Sequence, residues 1–243
     1  MNFDRLAPHY HWMEALSSGG LLQRARTVWL DELQGCRRIL SAGEGHGRFA
    51  AACTARFPEA ELTCVEASAA MIAVAKARLD HRAASSVRWH HAELLPWPAE
   101  EKFDAIVTCF FLDCFAPGEL SAVVGKLADC TAPNAVWLVV DFAIPSHRVA
   151  RWRALAVHAL MYAFFRRSVA LPARRLTAPD ALLRAHGFKL CGRRESSWGL
   201  LRADCWRRDE TPVRPNAIPV AVSGLGSTPK PEVQPRRSRN ERD

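Results

Sequence analysis

One stretch near residue 40 restricts the fold of this chain more than any other. It reads ILSAGEGHGRFAAACTARF from Ile39 to Phe57: an apolar strand-like run, three glycines at alternate positions, then a helical segment. Glycine lets the backbone turn sharply and approach a ligand closely, and the first amides of the helix stay available for binding. A dinucleotide fingerprint requires glycine at its sixth position, where Arg48 stands, so the loop argues against NAD or FAD. The alternative is a tight strand-to-helix turn without a ligand.

Strand-like and helix-like segments alternate along the rest of the chain, which is typical of an α/β architecture with a parallel sheet. The predicted strands are Arg38–Ser41, Glu61–Glu66, Val87–His91, Phe103–Cys109 and Ala135–Asp141, followed by two strands around a turn at Glu195–Trp198. The predicted helices are Asp4–Ser18, Leu21–Leu33, Phe49–Phe57, Ser68–Leu79, Glu119–Asp129, Ser146–Arg167 and Pro179–His186. The Ser17–Gly20 segment is predicted to break the first two helices apart.

Composition narrows the class of protein. The chain has 243 residues and 49% hydrophobic side chains, enough for one large domain with a core. The longest apolar run, Ala154–Phe165, is shorter than the roughly 18 to 20 residues of a membrane span, and the start does not resemble a secretory signal. Eight cysteines without CxxC spacing favour reduced thiols over disulfides or a zinc site. We therefore expect a soluble, cytoplasmic protein without a metal.

Charge is concentrated in one quarter of the chain. The net charge is +8, yet residues 1–144 carry 13 basic and 17 acidic side chains, whereas residues 145–208 carry 14 basic and 3 acidic ones. Such a segment favours an anionic partner, such as nucleic acid, acidic lipid headgroups or a negatively charged substrate. A solvated arginine-rich face is the alternative. Residues 209–243, rich in proline, glycine and charge, are predicted to be a disordered tail.

An acidic residue follows the glycine loop at the spacing expected for the end of the next strand. Glu66 ends the second predicted strand, 19 residues past Gly47, where a carboxylate can accept hydrogen bonds from both ribose hydroxyls of a nucleoside. Four segments then resemble, in order and spacing, the class I S-adenosylmethionine-dependent methyltransferases: SAGEGHG, VEASAAMIAVAKARL, HHAELLPW and FDAIVTCFFLDCF. The opening FDRLAPHYHWMEALSSGG also resembles the N-terminal segment of the ubiquinone and menaquinone C-methyltransferases.

The resemblance covers roughly residues 36–206 and implies a fold. That fold is a Rossmann-like three-layer sandwich, with a seven-stranded, mostly parallel sheet ending in an antiparallel hairpin and an N-terminal helical cap. The implied boundaries are a cap over residues 1–34, the methyltransferase domain over residues 35–208 and the tail over residues 209–243.

The resemblance also implies the cofactor, S-adenosylmethionine, and the residues that bind it. These are Tyr10, Ser41, Gly43, Glu44, Gly45, Gly47, Glu66, Ala67, His91, Ala92, Glu93 and Cys109. Two positions depart from the family's pattern. Ser41 replaces the usual acid near the methionine ammonium, for which Glu44 is a candidate substitute, and His91 replaces the usual Asp at the adenine position.

Methyl transfer from a sulfonium is an in-line displacement, which depends mainly on positioning in a dry site. An oxygen nucleophile benefits from a general base. The catalytic candidates are Asp113, His11 and Tyr162, with Asp141 and Tyr10 near the same mouth. For each of the three candidates a purely structural role is the alternative. Asp113 would cap the following turn, His11 would lie on the surface and Tyr162 would pack against other side chains.

The acceptor is expected to be an apolar small molecule. The tetrapeptide of amino-methylating enzymes is absent after the fourth strand, where Phe110, Phe111 and Phe115 would line the pocket. Arginines flank the apolar helix predicted over residues 146–167. Such a helix suits an anionic membrane surface or an acidic group on a lipophilic substrate, and the favoured alternative is an ordinary core helix with solvated ends. The leading hypothesis is a methyltransferase acting on O or C of an aromatic, quinone-like or lipid-like molecule. The alternatives are an RNA methyltransferase, supported only by the basic segment, and a cofactor-binding protein without catalysis.

Overall fold

A computed structural model of the chain describes residues 19–145, 151–152, 154–155 and 176–209. The chain divides into residues 1–213 and 214–243, and every described element lies in the first unit. The helix predicted over residues 4–18, most of the one predicted over residues 146–167 and the tail from residue 210 lie outside the described residues.

Strands and helices alternate as the sequence predicts. The strands are β1 (Arg38–Ala42), β2 (Glu61–Glu66), β3 (Val87–His91), β4 (Phe103–Cys109), β5 (Thr131–Phe142), β6 (Phe188–Ser196) and β7 (Leu201–Arg208). The helices are α1 (Gly19–Thr27), α2 (Arg48–Arg56), α3 (Ala69–Arg78), α4 (His81–Ser85), α5 (Pro117–Asp129) and α6 (Asp180–Ala185), with 3-10 turns at Leu30–Leu33 and Leu112–Cys114.

The seven strands form one sheet in the order β3-β2-β1-β4-β5-β7-β6. The first five are parallel to their neighbours, while β7 runs antiparallel to both β5 and β6. Side chains alternate between the two faces, so Leu40 and Ile106 belong to one buried cluster and Ile39 and Ala105 to the other. Both faces are covered, which explains why the parallel strands are almost continuously apolar. The expected α/β sheet with its terminal hairpin is confirmed.

The N-terminal part departs from the sequence prediction. Gly19 and Gly20, expected in the break between two helices, are helical residues of α1, whereas Ser17 and Ser18 lie outside the described residues. The helix predicted over residues 21–33 ends at Thr27, because the Trp29 indole donates a hydrogen bond to the Ala203 carbonyl at 2.9 Å and fixes the chain against β7. A single 3-10 turn then leads toward β1. The local sequence carries no signal for this long-range contact.

The hairpin of β6 and β7 contains much of the basic segment, and several of its arginines are paired internally. Asp204 is fully buried and accepts two hydrogen bonds from Arg193, both at 2.8 Å. Asp180 bridges Arg193 and Arg202 at 2.6 and 2.7 Å. Buried charges are stable when paired in this way. These two arginines therefore serve the fold rather than an external anion.

The described residues include Asp209, which lies one position beyond the expected domain boundary. The Asp209 amide donates to the Gly187 carbonyl at 3.0 Å, and its carboxylate pairs with Lys189 at 2.5 Å. The expected cap over residues 1–34 enters the described residues at α1, which packs against α2 and β7. In the described parts of the chain, the helices are too short or too polar to cross a lipid bilayer.

Candidate functional site

A cavity of about 290 Å³ opens where the glycine loop meets the ends of β2 and β4. This is the edge at which parallel α/β sheets bind ligands, because the loops after neighbouring strands diverge there. Its lining combines glycines, acidic groups, apolar side chains and one arginine: Arg26, Gly43, Glu44, Gly45, His46, Val65, Glu66, Ala67, Met71, Ala92, Glu93, Leu94, Leu95, Cys109, Phe110, Phe111, Cys114, Phe115, Glu119 and Val123.

The three loop glycines all adopt left-handed backbone angles, with φ of +67° at Gly43, +65° at Gly45 and +82° at Gly47. Their surroundings differ. A Cβ atom at Gly47 would lie 2.7 Å from the Cα of Ala75 in α3, so this glycine allows the loop to pack on that helix. A Cβ atom at Gly45 would meet nothing within 4 Å. The loop is therefore closed against the protein at Gly47 and open at Gly45.

We expect Gly47→Ala to destabilise the fold by about 2 kcal/mol, because it combines an unfavourable φ with a backbone clash. Gly45→Ala is the matched control, since it carries the same φ penalty without the clash and should cost only about 1 kcal/mol. Urea unfolding of both variants measures the difference. Equal destabilisation would contradict the assigned contact between Gly47 and α3.

Glu66 ends β2 and is held by two backbone amides. Its Oε2 accepts a hydrogen bond from the Gly45 amide and its Oε1 accepts one from the Ser68 amide, both at 2.9 Å. Each carboxylate oxygen can accept a second hydrogen bond. Glu66 also lines the cavity. The amides fix the carboxylate in place before any ligand arrives.

Glu44 stands in the loop and turns back toward β1. Its Oε2 accepts a hydrogen bond from the Ser41 hydroxyl at 2.5 Å, and its Oε1 accepts one from the Ala50 amide at 2.9 Å, in the first turn of α2. Burial raises the pKa of Glu44 to about 7, although these bonds and the charge of Arg26 oppose the shift. A carboxylate from the loop therefore lies beside Ser41 at the end of the first strand.

The residues after β4 form the aromatic wall of the cavity. Phe110 has an unusual φ of +55°, and its amide donates to the Val140 carbonyl at 2.6 Å. The Phe111 ring covers Gly43, where an added Cβ would lie 2.1 Å from the ring, and it contacts Phe115 edge to face at 5.0 Å. Gly43 is thus needed for close packing of an aromatic ring as well as for its backbone angle.

Arg26 reaches this wall from α1. It is only 5% exposed, and its guanidinium lies 5.0 Å from the centroid of the Phe110 ring. Gln23, one turn earlier, donates to the Arg48 carbonyl at 3.3 Å and so ties α1 to α2. The charge of Arg26 lowers the pKa values of Glu44 and Cys109, although burial raises both overall. The N-terminal helix therefore contributes a buried positive charge to the cavity.

Two buried carboxyl groups lie behind the aromatic wall. Asp141, near the end of β5, accepts a hydrogen bond from the Phe111 amide at 3.1 Å through Oδ1, and its Oδ2 is buried without a hydrogen-bond partner. Asp113 accepts a weak hydrogen bond from the Cys114 thiol at 3.5 Å. Burial raises the pKa of Asp113 to about 6. Burial and the Asp113 charge together raise the pKa of Asp141 well above its usual value. The two acids therefore titrate as a pair, in separate steps.

The end of β3 supplies the third side of the cavity. The Ala92 amide donates to the Glu66 carbonyl at 3.1 Å, and both Ala92 and Glu93 line the cavity. His91 is exposed and outside the lining, and its Nε2 lies 3.1 Å from the Ala67 carbonyl oxygen. This contact joins the ends of β2 and β3. The ring of His91 therefore supports the cavity from outside.

The structure brings together eight of the residues expected to bind the cofactor: Gly43, Glu44, Gly45, Glu66, Ala67, Ala92, Glu93 and Cys109. Ser41, Gly47 and His91 lie beside the cavity and support it. Asp113 does not line the cavity, and Tyr10, His11 and Tyr162 lie outside the described residues. Sequence reasoning missed Arg26, His46 and Cys114. Only a helical register that placed Arg26 on the buried side of α1 could have indicated the first.

Comparison with known proteins identifies related sequences. Residues 39–134 match the family described as "Methyltransferase domain". The chain is 31% identical over 146 residues to demethylmenaquinone methyltransferase of Thermus thermophilus, covering 59% of this chain and 65% of that protein. It is 29% identical over 148 residues to ubiquinone/menaquinone biosynthesis C-methyltransferase of Syntrophotalea carbinolica, covering 60% of this chain and 61% of that protein. The chain therefore spans less than two thirds of the length of these relatives.

Solved structures share the fold at lower identity. Mitomycin 7-O-methyltransferase superposes with a TM-score of 0.65 and 18% identity, covering 86% of this chain and 61% of that one. The 1,6-didemethyltoxoflavin-N1-methyltransferase of Burkholderia thailandensis, solved with S-adenosylhomocysteine, superposes with a TM-score of 0.59 and 16% identity. The superposition covers 82% of this chain and 83% of that one. Residues 39–134 therefore match a methyltransferase domain, and the described part of the chain shares the fold of these solved methyltransferases.

Proposed function

We propose that this chain transfers a methyl group from S-adenosylmethionine to an oxygen or carbon atom of an apolar, aromatic small molecule. One observation carries the proposal: a single cavity is lined both by the glycine loop with Glu66 and by the aromatic side chains Phe110, Phe111 and Phe115. The first group suits a nucleoside with a charged tail, and the second suits a flat apolar acceptor. The two sequence relatives are named for demethylmenaquinone and for ubiquinone and menaquinone biosynthesis, which supports a quinone-like acceptor.

The described residues fit the cofactor. In this proposal the Glu66 carboxylate, which the Gly45 and Ser68 amides hold at the end of β2, accepts the ribose hydroxyls. Open space above Gly45 admits a ligand close to the backbone. Ala92 and Glu93 line the side where the adenine is expected, and Glu44 lies beside Ser41 near the place expected for the methionine end.

Catalysis in this proposal depends on placement. When bound, S-adenosylmethionine supplies a methyl group on a positively charged sulfur. The aromatic wall excludes water and holds a flat acceptor, so that the nucleophilic atom and the methyl group are kept within reach. Asp141 fixes the Phe111 amide, and through it the position of the wall. Asp113 is buried and does not line the cavity, so it is not proposed as the proton acceptor. We also propose His11 and Tyr162, which lie outside the described residues, as acceptors of the proton from an oxygen nucleophile.

The proposal favours a small acceptor over RNA. In the described part of the basic segment, Arg193 and Arg202 are paired with Asp180 and Asp204, and Arg207 pairs with Glu32 at 2.8 Å. Paired arginines offer little to a phosphate backbone. Contact with an anionic membrane surface would depend on the arginines between residues 148 and 167, most of which lie outside the described residues.

Transfer of labelled methyl from S-adenosylmethionine into a cell extract tests the proposal. We expect label in the organic fraction, with none above background in RNA. Label in RNA that falls steeply as salt is added would contradict the acceptor class. Tight cofactor binding without transfer to any fraction would instead indicate a cofactor-binding protein without catalysis.

A further inference from the structure

Two buried carboxyl groups connect the end of β5 to the 3-10 turn at Leu112–Cys114. Asp141 belongs to β5 and is 6% exposed, whereas Asp113 belongs to the turn and is 7% exposed. Asp141 accepts a hydrogen bond at 3.1 Å from the amide of Phe111, the residue that precedes the turn. The amide of Phe142, next to Asp141 on β5, is hydrogen-bonded to the Asp113 carboxyl. Each acid thus binds backbone adjoining the other, and we call this arrangement the carboxyl clasp.

The carboxyl clasp is attached to the aromatic wall of the cavity. Phe110 has a φ of +55°, which an aromatic residue rarely adopts and which persists only where the surrounding contacts hold it. Its amide donates to the Val140 carbonyl at 2.6 Å, and the following amide, that of Phe111, donates to Asp141. These two bonds fix the segment that carries the Phe111 ring over Gly43. The position of the wall therefore depends on the clasp.

The charges around the clasp do not balance when both acids are ionised. The Oδ2 atom of Asp141 is buried, and no described residue forms a hydrogen bond with it. Burial and the Asp113 charge raise the pKa of Asp141 by more than the charge of Arg202, opposite it on β7, lowers it. The Arg202 guanidinium is already paired with Asp180 and Asp204, at 2.7 and 3.2 Å. Two neighbouring buried carboxylates repel each other, so the clasp is most stable when it holds a proton.

Other titratable groups face the clasp from β2, β4 and the turn. The Cys114 thiol donates weakly to Asp113 at 3.5 Å. Burial raises the pKa values of the Cys109 and Cys114 thiols well above their usual range, so both stay neutral near pH 8. Glu66 adds a negative charge that also raises the pKa of Cys114. None of these three groups supplies a positive charge to the two acids.

We propose that Asp113 and Asp141 are positioning residues, which keep the aromatic wall against the glycine loop while they share a proton. When both carboxyls are ionised, their repulsion moves the turn away from β5 and releases the wall. A ligand that needs the wall in place then binds together with a proton at slightly alkaline pH. This inference rests on the proposed function and adds a protonation step to ligand binding.

Calorimetric titration of the full chain with S-adenosylhomocysteine tests the proposal. Between pH 6.0 and 8.5 the affinity of the wild-type protein should fall about 10-fold, as a difference of one pKa unit between the bound and the free protein implies. Titrations at pH 8 in buffers of different ionisation enthalpy should show uptake of about 0.5 to 1 proton per ligand. An affinity independent of pH, without proton uptake, would overturn the proposal.

Substitutions in the clasp should abolish the pH dependence. Asp141→Asn should bind at pH 8.5 as tightly as the wild type at pH 6.0, because asparagine still accepts from the Phe111 amide and the repulsion is gone. Asp113→Asn should remove the dependence in the same way. Asp129→Asn is the matched control, since Asp129 is exposed at the end of α5 and should keep the wild-type dependence. The wild-type pH dependence in both Asp141→Asn and Asp113→Asn would overturn the proposal.

Glu44 requires its own control because it lines the same cavity and burial raises its pKa to about 7. Glu44→Gln removes this carboxyl and leaves the clasp intact. The variant should still take up a proton with S-adenosylhomocysteine at pH 8. Loss of the uptake in Glu44→Gln, with the uptake retained in Asp141→Asn, would assign the proton to Glu44 and overturn the proposal.

Hydrogen exchange of the ligand-free protein tests the clasp without a cofactor. After correction for intrinsic rates, the Phe111 amide should lose about 10-fold of its protection between pH 6.0 and 8.5, relative to the Ile106 amide in the core of β4. Asp141→Asn should show no such loss. Unchanged relative protection in the wild type would overturn the proposal. If the loss is observed but S-adenosylhomocysteine does not bind at any pH, the clasp is supported and the proposed function is contradicted.

Discussion

Replacing Glu66 with alanine is expected to weaken S-adenosylmethionine binding by about 100- to 1,000-fold, because two hydrogen bonds from ribose hydroxyls to a charged carboxylate are lost. The structure shows why the loss should be so large. The Gly45 and Ser68 amides hold both carboxylate oxygens in the cavity before the ligand binds, so little ordering is needed on binding. Calorimetric titration measures the affinity directly.

The same substitution removes an acceptor from two amides, so the stability of Glu66→Ala should also fall, by about 1 to 3 kcal/mol. Affinity must therefore be measured well below the melting temperature of the variant. Glu61→Ala is the matched control. Glu61 lies at the first position of the same strand, at the end away from the cavity, and pairs with Arg88 on the surface. An unchanged affinity in folded Glu66→Ala would show that the ribose is held elsewhere.

The strands on the parallel side of the sheet could be predicted closely from the sequence. The predicted bounds of β2, β3 and β4 match the observed ones. β2 and β4 have short apolar runs bounded by polar or turn residues, because they are buried between two helical layers. β3 is an edge strand whose side chains, apart from Val87, are exposed or half-buried. The helix cap at Ser68 could be predicted for a similar reason, since capping is a local bond: its hydroxyl accepts from the Met71 amide at 3.1 Å.

Contacts between distant parts of the chain could not be predicted. The bond from Trp29 to Ala203 ends the first helical segment, yet 174 residues separate the two. β5 begins at Thr131 instead of Ala135, because its early residues pair with Phe103 across an irregular register. Periodicity in a short window contains no information about such partners.

The site shows the same division. Gly43, Gly45 and Glu66 could be placed from spacing alone, since the loop and the strand end are adjacent in any sheet of this order. The turn of Glu44 toward Ser41 and the arrival of Arg26 from α1 depend on packing among α1, α2 and the end of β4. Glu44 and Arg26 are charged, and charged residues usually lie on the solvated surface. Their burial in the cavity therefore could not be predicted from the sequence.

Asp141→Asn is expected to stabilise the protein above neutral pH by about 2 to 3 kcal/mol, because an unpartnered buried carboxyl oxygen beside a second acid is replaced by a neutral group. Asparagine keeps the Oδ1 acceptor for the Phe111 amide and turns an N–H group toward the Asp113 charge. For a chain of this length the melting temperature should rise by about 4 to 12 °C at pH 8.

The direction of the pH dependence follows from raised pKa values. Glu44 at about 7 and Asp113 at about 6 both lie above their ordinary values of 4.5 and 3.8, and Asp141 is raised further by the Asp113 charge. A carboxyl whose pKa is raised by folding binds its proton more tightly in the native state. Its stabilisation is complete below the unfolded pKa and is lost as pH rises through the folded one. The wild-type protein should therefore be more stable near pH 5 than at pH 8, by about 2 to 3 kcal/mol from Glu44 and about 1 to 2 kcal/mol from Asp113.

The gain from Asp141→Asn should consequently grow with pH and be small near pH 4, where the folded wild-type carboxyl is protonated and no buried charge remains to be removed. Asp129→Asn makes the same chemical change at an exposed position at the end of α5 and should shift stability by no more than about 0.5 kcal/mol at any pH. Thermal melts of the three proteins between pH 4.5 and 8.5 provide the comparison. A stabilisation in Asp141→Asn that did not change with pH, or a loss of stability at pH 8, would mean that the Asp113 and Asp141 carboxyls do not share a buried charge.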